Sequence, residues 1–175
     1  MANTILNLTT IHPVLSVTVL LAFVATCLTY MAPDFTSDNL VISGDFNVGT
    51  FSGTFVHINW GHFIGNIILL IPVWIYADNL AGIAFVAIIV LANMLVTGIF
   101  GLLADQRLCG LSGVVYMLVG LTAIIGNWLM FGFAIALFVA EFSLLNDNDN
   151  TSHVAHILFF VVGIVIGIVR VFILG

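Results

Sequence analysis

The sequence predicts an all-α membrane protein with six transmembrane helices. Of its 175 residues, 62% are hydrophobic and 6% are charged, and the mean hydropathy is +1.30. A soluble domain carries about 25% charged residues, so most of this chain is expected to face lipid. Six apolar stretches indicate the helices, at about 14–31, 60–76, 80–101, 112–126, 128–145 and 154–174.

Length and charge limit what the chain can do. We expect one domain over residues 1–175, with no internal repeat. The net charge is −6 and the only cationic side chains are Arg107 and Arg170, which excludes a nucleic-acid surface. Two basic residues are too few to set the orientation by charge, and we expect both termini inside and the acidic loops outside. Cys27 and Cys109 have no metal-site spacing, and no cofactor or metal is expected.

The fourth apolar stretch is too short to cross a bilayer. Its 15 or so residues give about 22 Å of helix, whereas a full crossing takes about 20 residues. If the stretch ends at the inner surface, at Gly126-Asn127, then Ser112 begins it inside the membrane. The preceding segment 102–111 must descend to that depth, where non-helical backbone needs protein or water around it. A recessed, water-holding cavity around Ser112 is therefore predicted.

Ser112 is a candidate nucleophile. It stands in Gly110-Leu-Ser112-Gly113, at the predicted first turn of a helix, where free N–H groups can stabilise a developing negative charge. The flanking glycines would let another backbone approach closely. Tyr116 is four residues further on, and so lies on the same helix face as Ser112. The alternative is an N-cap serine between packing glycines.

Polar residues also open the second stretch. His62 and Asn66 are one turn apart, and both side chains can donate hydrogen bonds to an oxyanion. The alternative is a polar contact between helices. His57 precedes the stretch and can simply pack the loop, and His57 with His62 lacks a third metal ligand.

His153 and His156 open the sixth stretch, where either could serve as a general base or both could bind a metal. Alternate helices run in the same direction, so stretches two, four and six bring their polar residues to one side. A nucleophile, a base and oxyanion donors are the parts needed for acyl transfer. No carboxylate is obviously placed to orient the histidine, so we expect a Ser–His dyad with Tyr116 packing on the imidazole.

The motifs resemble those of the rhomboid intramembrane proteases of the prokaryotic six-span type, in the same order over about Thr50–Gly175. The matching segments are His57-Ile-Asn-Trp-Gly-His62-Phe-Ile-Gly-Asn66, Gly110-Leu-Ser112-Gly113-Val-Val-Tyr116 and Ala155-His156-Ile.

The resemblance implies a Ser112–His156 dyad and an oxyanion site using His62, Asn66 and the Ser112 N–H. It selects His156 over His153, because Gly163 follows His156 at the family spacing. It also implies cleavage of transmembrane protein substrates, in a cell membrane, by a site open to the outer side. One departure is Leu158-Phe159-Phe160, which stands where the family often has glycine.

Two other functions are alternatives to this expectation. A non-catalytic rhomboid-like protein would bind or escort transmembrane helices, but such relatives typically lack the serine or the histidine. A small channel or transporter would need a polar stripe reaching the far side, and the polar residues here stop on one side.

In the protease expectation, substrate would enter sideways from lipid, past a mobile fifth helix. Nothing in the sequence specifies an oligomeric state.

Overall fold

Helices make up all of the regular secondary structure in the described part of the chain. The computed structural model describes residues 12–40, 49–104, 108–145 and 150–174. A 3-10 turn, Gly53–Phe55, precedes the second long helix. The α-helices are α1 (Pro13–Met31), α2 (Pro33–Asn39), α3 (Gly49–Ser52), α4 (Trp60–Ala81), α5 (Ile83–Ala104), α6 (Ser112–Ile125), α7 (Trp128–Ser143) and α8 (Asn150–Leu174).

Each of the six predicted apolar stretches coincides with a helix. Four of these helices, α1, α4, α5 and α8, are long and apolar enough to cross a membrane. The other two, α6 and α7, have 14 and 16 residues. The prediction that the fourth stretch is short is therefore confirmed.

Several predicted boundaries were wrong by a few residues. Helix α4 runs to Ala81 rather than residue 76, because Asp78 and Asn79 continue the helix and Asn79 bonds to the carbonyl of Ile75. Helix α5 spans 83–104 rather than 80–101, and α7 ends at Ser143 rather than residue 145. Helix α8 begins at Asn150 rather than residue 154, since its first residues are polar but helical.

The segment between the first two predicted stretches has helical structure of its own. It contains α2, α3 and the 3-10 turn. The carbonyl of Gly53 accepts a hydrogen bond of 3.0 Å from the N–H of Gly110, which ties this loop to the segment before α6. Charged loop residues that lie outside the described residues include Asp45, Arg107, Asp147 and Asp149.

Helix α6 is the centre of the bundle. Nine of its 14 residues are buried, and it packs on α4, α5, α7 and, most extensively, α8. Glycines allow the backbones of α6 and α8 to touch: a Cβ on Gly163 would overlap the carbonyl of Met117, and one on Gly120 would overlap the carbonyl of Phe160. This close packing brings the first turn of α6 against the second turn of α8.

The two ends of the bundle differ. At one end His12 pairs with Asp78, and Arg170 donates to the carbonyl of Leu80 over 3.0 Å. The opposite end carries the start of α4, the start of α6 and the start of α8, together with the end of α7. The polar residues of the sequence motifs lie at this second end.

Helix α7 is the most loosely packed of the long helices. Only Ala134 and Glu141 among its residues are buried, and a Cβ on Gly132 would meet no atom within 4 Å. Most of its apolar side chains face outward, where lipid would cover them. The buried carboxylate of Glu141 is the exception, and it lies in the candidate site.

Candidate active site

Ser112 and His156 are in hydrogen-bond contact. Ser112 is the first residue of α6, and its Oγ lies 3.0 Å from Nε2 of His156. His156 lies in the second turn of α8, one turn deeper than the predicted first turn, because the helix starts at Asn150. A neutral imidazole in this position can take the hydroxyl proton, which is the arrangement of a serine nucleophile with its base.

Tyr116 packs flat against the imidazole of His156. The ring centroids are 4.4 Å apart and the planes differ by 11°. Because Tyr116 is one turn after Ser112, the same face of α6 presents both the hydroxyl and the ring to His156. Stacking restricts rotation of the imidazole and so keeps Nε2 directed at Ser112.

His62 and Asn66 line a space beside Gly110. A Cβ on Gly110 would lie 2.8 Å from Cε1 of His62 and 3.3 Å from Nδ2 of Asn66, and the φ of +101° also favours glycine there. Within the described part of the chain, Nδ2 of Asn66 and Nδ1 of His62 are buried without a hydrogen-bond partner. Buried polar atoms are costly to leave unpaired, and an acceptor from a bound molecule would satisfy the Asn66 amide.

The depth of this space follows from its position on α4. Asn66 is six residues after the start of that helix, which places it roughly 9 Å along the helix axis. Helix α6 begins beside it, lower in the bundle than the start of α4. The backbone before Ser112 is therefore recessed and covered by protein.

His57 supports the segment before α6. It is completely buried, and its Nδ1 lies 3.1 Å from the carbonyl of Phe55, to which it donates. Its Nε2 then accepts the N–H of Leu111 over 3.3 Å. Burial, reinforced by nearby His62, lowers the pKa of His57 to about 4, so the ring is neutral at pH 7. His57 thus fixes the residue immediately before Ser112.

Gly113 makes room for side chains rather than for a neighbouring backbone, which corrects the sequence expectation at this position. A Cβ there would overlap the amide oxygen of Asn93 and approach the ring of Phe159 to 2.9 Å. Phe159 belongs to the bulky Leu158-Phe159-Phe160 segment and is 4% exposed. The large ring therefore fits because Gly113 faces it.

The sequence analysis missed Glu141, and its expectation that no carboxylate accompanies the histidine was wrong. Oε2 of Glu141 lies 3.2 Å from Nδ1 of His156 and 2.6 Å from Nδ1 of His153. Oε1 accepts the hydroxyl of Tyr116. A carboxylate inside an apolar helix is costly and was itself a signal of function, since the fifth stretch ends on the same side as His156.

A comparison with protein-family models matches residues 48–172 to the Rhomboid domain. The chain belongs to the rhomboid family. The match runs from α3 to all but the last two residues of α8 and includes all of the predicted site residues. It confirms the resemblance drawn from the sequence motifs. A search of curated proteins finds no match to the chain.

Family membership fixes the general class of the protein. The rhomboid domain and four long apolar helices make the chain an integral membrane protein. Rhomboids are a family of intramembrane serine proteases that also includes non-catalytic relatives. This chain has both Ser112 and His156, and both residues lie within the matched rhomboid domain.

Other candidates for chemistry in the rhomboid domain are a thiol and a metal site. Burial raises the pKa of the Cys109 thiol to about 11, so this neighbour of Ser112 is a poor nucleophile near neutral pH. The rings of His57 and His62 are 5.1 Å apart, and the described part of the chain places no third metal ligand beside them. Among the described residues, the group able to hold a metal is Glu141, His153 and His156, with donor atoms within 4.8 Å of one another.

Proposed function

We propose that this rhomboid is an intramembrane serine endopeptidase that hydrolyses peptide bonds in or near the transmembrane helices of other membrane proteins. The observation that carries the proposal is the 3.0 Å contact between Ser112 Oγ and His156 Nε2 at the recessed start of α6. A nucleophile and a base in contact, at a helix N-terminus, are the minimum for acyl transfer.

In the proposed acylation step, His156 Nε2 takes the proton of Ser112 as Oγ attacks the substrate carbonyl carbon. The carbonyl oxygen becomes an oxyanion, which accepts hydrogen bonds from Asn66 Nδ2, the His62 ring and the Ser112 N–H. His156 then returns the proton to the departing amine, and the peptide bond breaks. Water, activated by the same imidazole, hydrolyses the acyl ester and restores Ser112.

Glu141 and Tyr116 hold the imidazole in this scheme. The carboxylate lies 3.2 Å from Nδ1 of His156, and its negative charge favours the imidazolium that forms when Ser112 loses its proton. Tyr116 stacks on the ring and donates its hydroxyl to Glu141, so that the three side chains restrain one another. The site is then a serine–histidine pair with an added carboxylate.

We further propose that α6 and α7 complete a six-span bundle with α1, α4, α5 and α8, in the cell membrane. The site would then open to the outer side, with the substrate helix arriving from lipid. An apolar groove of about 570 Å³ separates α4 from α7, with walls that include Leu69, Pro72, Met130 and Phe133. Because α7 has few buried residues, its displacement would widen this groove at little cost in packing.

The test is cleavage of a labelled transmembrane substrate by the purified protein in liposomes. Wild-type protein should release a fragment, and Ser112→Ala and His156→Ala should each abolish release while retaining the wild-type melting temperature. Cleavage that survives both substitutions would place the activity elsewhere. If well-folded wild-type protein cleaves none of a panel of helices but binds them, the non-catalytic helix-binding function is favoured instead.

A further inference from the structure

The outer ends of α7 and α8 bring together a carboxylate and two imidazoles. Oε2 of Glu141 lies 2.6 Å from Nδ1 of His153 and 3.2 Å from Nδ1 of His156. The side chains of Glu141, His153 and His156 are 10%, 21% and 17% exposed. They are therefore largely buried, but an ion from the aqueous side can reach them.

The donor set suits a divalent cation of the zinc class. Two imidazole nitrogens and one carboxylate oxygen are common ligands of Zn²⁺, and a water can supply the fourth position. His153 and His156 are three residues apart and so lie on one face of α8. Tetrahedral Zn²⁺ with bonds of about 2.0–2.1 Å separates its ligand atoms by about 3.3 Å. The His156–Glu141 separation already meets this value, and the His153–Glu141 pair needs a small side-chain rotation.

Two further observations favour a ligand at this place. Nδ1 of His156 is buried, and within the described residues it has no hydrogen-bond partner, since its contact with Glu141 lacks the alignment of a hydrogen bond. A metal ion would use the lone pair of that atom. The hydroxyl of Tyr116 donates to Oε1 of Glu141, leaving Oε2 to bind, and such support from outside the ligand set is typical of metal sites.

We propose that Glu141, His153 and His156 form an inhibitory site for Zn²⁺. Binding uses the Nδ1 lone pairs of both histidines, so the proton that a neutral His153 ring holds on Nδ1 toward Glu141 moves to its Nε2. A His156 ring coordinated through Nδ1 carries its proton on Nε2. That nitrogen then donates to Ser112 Oγ and can no longer take the hydroxyl proton. Zn²⁺ binding and serine activation are thus mutually exclusive. The inhibitory role rests on the proposed protease function, whereas the binding itself does not.

The first experiment measures binding of Zn²⁺ to the purified, detergent-solubilised protein by competition with a chromophoric zinc indicator. Wild type and Ser112→Ala should each bind one ion. His153→Ala and His153→Gln should bind at least about tenfold more weakly, because one ligand is lost. His12→Ala removes a histidine at the opposite end of the bundle and should bind as wild type does. Absence of binding by wild type, or equal binding by folded His153 variants, would overturn the proposal.

The second experiment measures inhibition, in the same preparation, as substrate cleavage relative to each protein's own metal-free rate. Zn²⁺ should inhibit cleavage by the wild type over the concentration range in which it binds, and EDTA should restore cleavage. The His153→Gln variant should need at least about tenfold more Zn²⁺ for the same inhibition. One bound Zn²⁺ with undiminished cleavage would overturn the inhibitory role. If the wild type is inactive without metal, the protease proposal fails, and the binding experiment still decides whether the site exists.

Discussion

The carboxylate of Glu141 lies beside the imidazole of His156, with Oε2 3.2 Å from Nδ1, although the two residues are on different helices. As a whole residue, Glu141 is 8% exposed. Its carboxylate contacts three side chains, those of His156, Tyr116 and His153. A charge among apolar side chains is tolerated because two hydrogen-bonding groups, from Tyr116 and His153, and the imidazole of His156 surround it. The C-terminal end of the loosely packed α7 is therefore attached to the residues around Ser112.

Replacing the carboxylate should slow the chemical step. In the proposed mechanism, the negative charge of Glu141 stabilises the imidazolium of His156. Glu141→Gln keeps the shape of the side chain but removes that charge. We expect kcat to fall about ten- to hundredfold, as for loss of a hydrogen bond to a charged group, with little change in KM. Glu141→Asp, which retains the charge, should recover part of the rate. Steady-state cleavage in liposomes measures both constants.

Asp38→Asn on exposed helix α2 is the control for loss of one negative charge, and its kinetics should match the wild type. A Glu141→Gln variant with normal kcat would show that the carboxylate has no part in the reaction. A loss that Glu141→Asp does not relieve at all would favour a purely steric role.

Asn66 should matter to the transition state more than to substrate binding. Its buried Nδ2 has no hydrogen-bond partner among the described residues and faces the space beside Gly110. We expect Asn66→Ala to lower kcat roughly 10²- to 10³-fold, the usual effect of removing one oxyanion donor, with KM nearly unchanged. Asn79→Ala, an asparagine near the other end of the same helix, should leave both constants unaltered. Equal kinetics for the two variants would exclude Asn66 as a donor.

Closing the groove between α4 and α7 should prevent cleavage of membrane-embedded substrates. In a background with Cys27→Ser and Cys109→Ser, cysteines at Leu69 and Phe133 can be joined by a short thiol cross-linker. We expect cross-linking to abolish cleavage and reduction of a cleavable linker to restore it.

The matched control for this experiment places the cysteines at Ile75 and Met130. Both residues line the other end of the same groove, beside the turn where the Asn127 N–H already contacts the Tyr76 hydroxyl over 3.2 Å, so a link at this fixed end should be tolerated. Undiminished cleavage by the protein cross-linked at Leu69 and Phe133 would rule out entry by this route.

Acid should destabilise the protein partly through His57. Its pKa is about 4 in the folded protein and 6.5 for the ordinary side chain, so the unfolded state binds the proton more readily. The neutral His57 ring makes its whole contribution to the free energy of unfolding above pH 6.5. That contribution is lost as the pH falls toward 4, by at most about 3 kcal/mol. Melting temperatures in detergent should therefore fall less steeply over this range for His57→Gln than for wild type. Parallel pH dependences would contradict this account.

Much of the site could be predicted from local sequence. The short fourth stretch indicated a helix beginning inside the membrane, and the alternation of helix direction placed Ser112, His62 and His156 at one end. These inferences depend on spacing along single helices, which the sequence contains. The family match supports the same motifs.

The parts that sequence reasoning missed depend on contacts between helices. Glu141 stands among apolar residues, and its partners Tyr116 and His153 belong to other helices, so no local pattern joins them. The fit of Phe159 against Gly113 is likewise a contact between α8 and α6. The start of α8 was misplaced because its first residues are polar, and hydropathy alone does not separate a polar first turn from a loop.

The central claim is that His156 activates Ser112, and the most direct test is reaction with a serine-directed fluorophosphonate, followed by peptide mass spectrometry. The account predicts one adduct, on Ser112, in wild-type protein. It predicts no adduct in Ser112→Ala, and labelling slowed by at least about a hundredfold in His156→Ala, the scale of general-base assistance. Fast labelling of Ser112 without His156, or an adduct on another residue, would contradict the account.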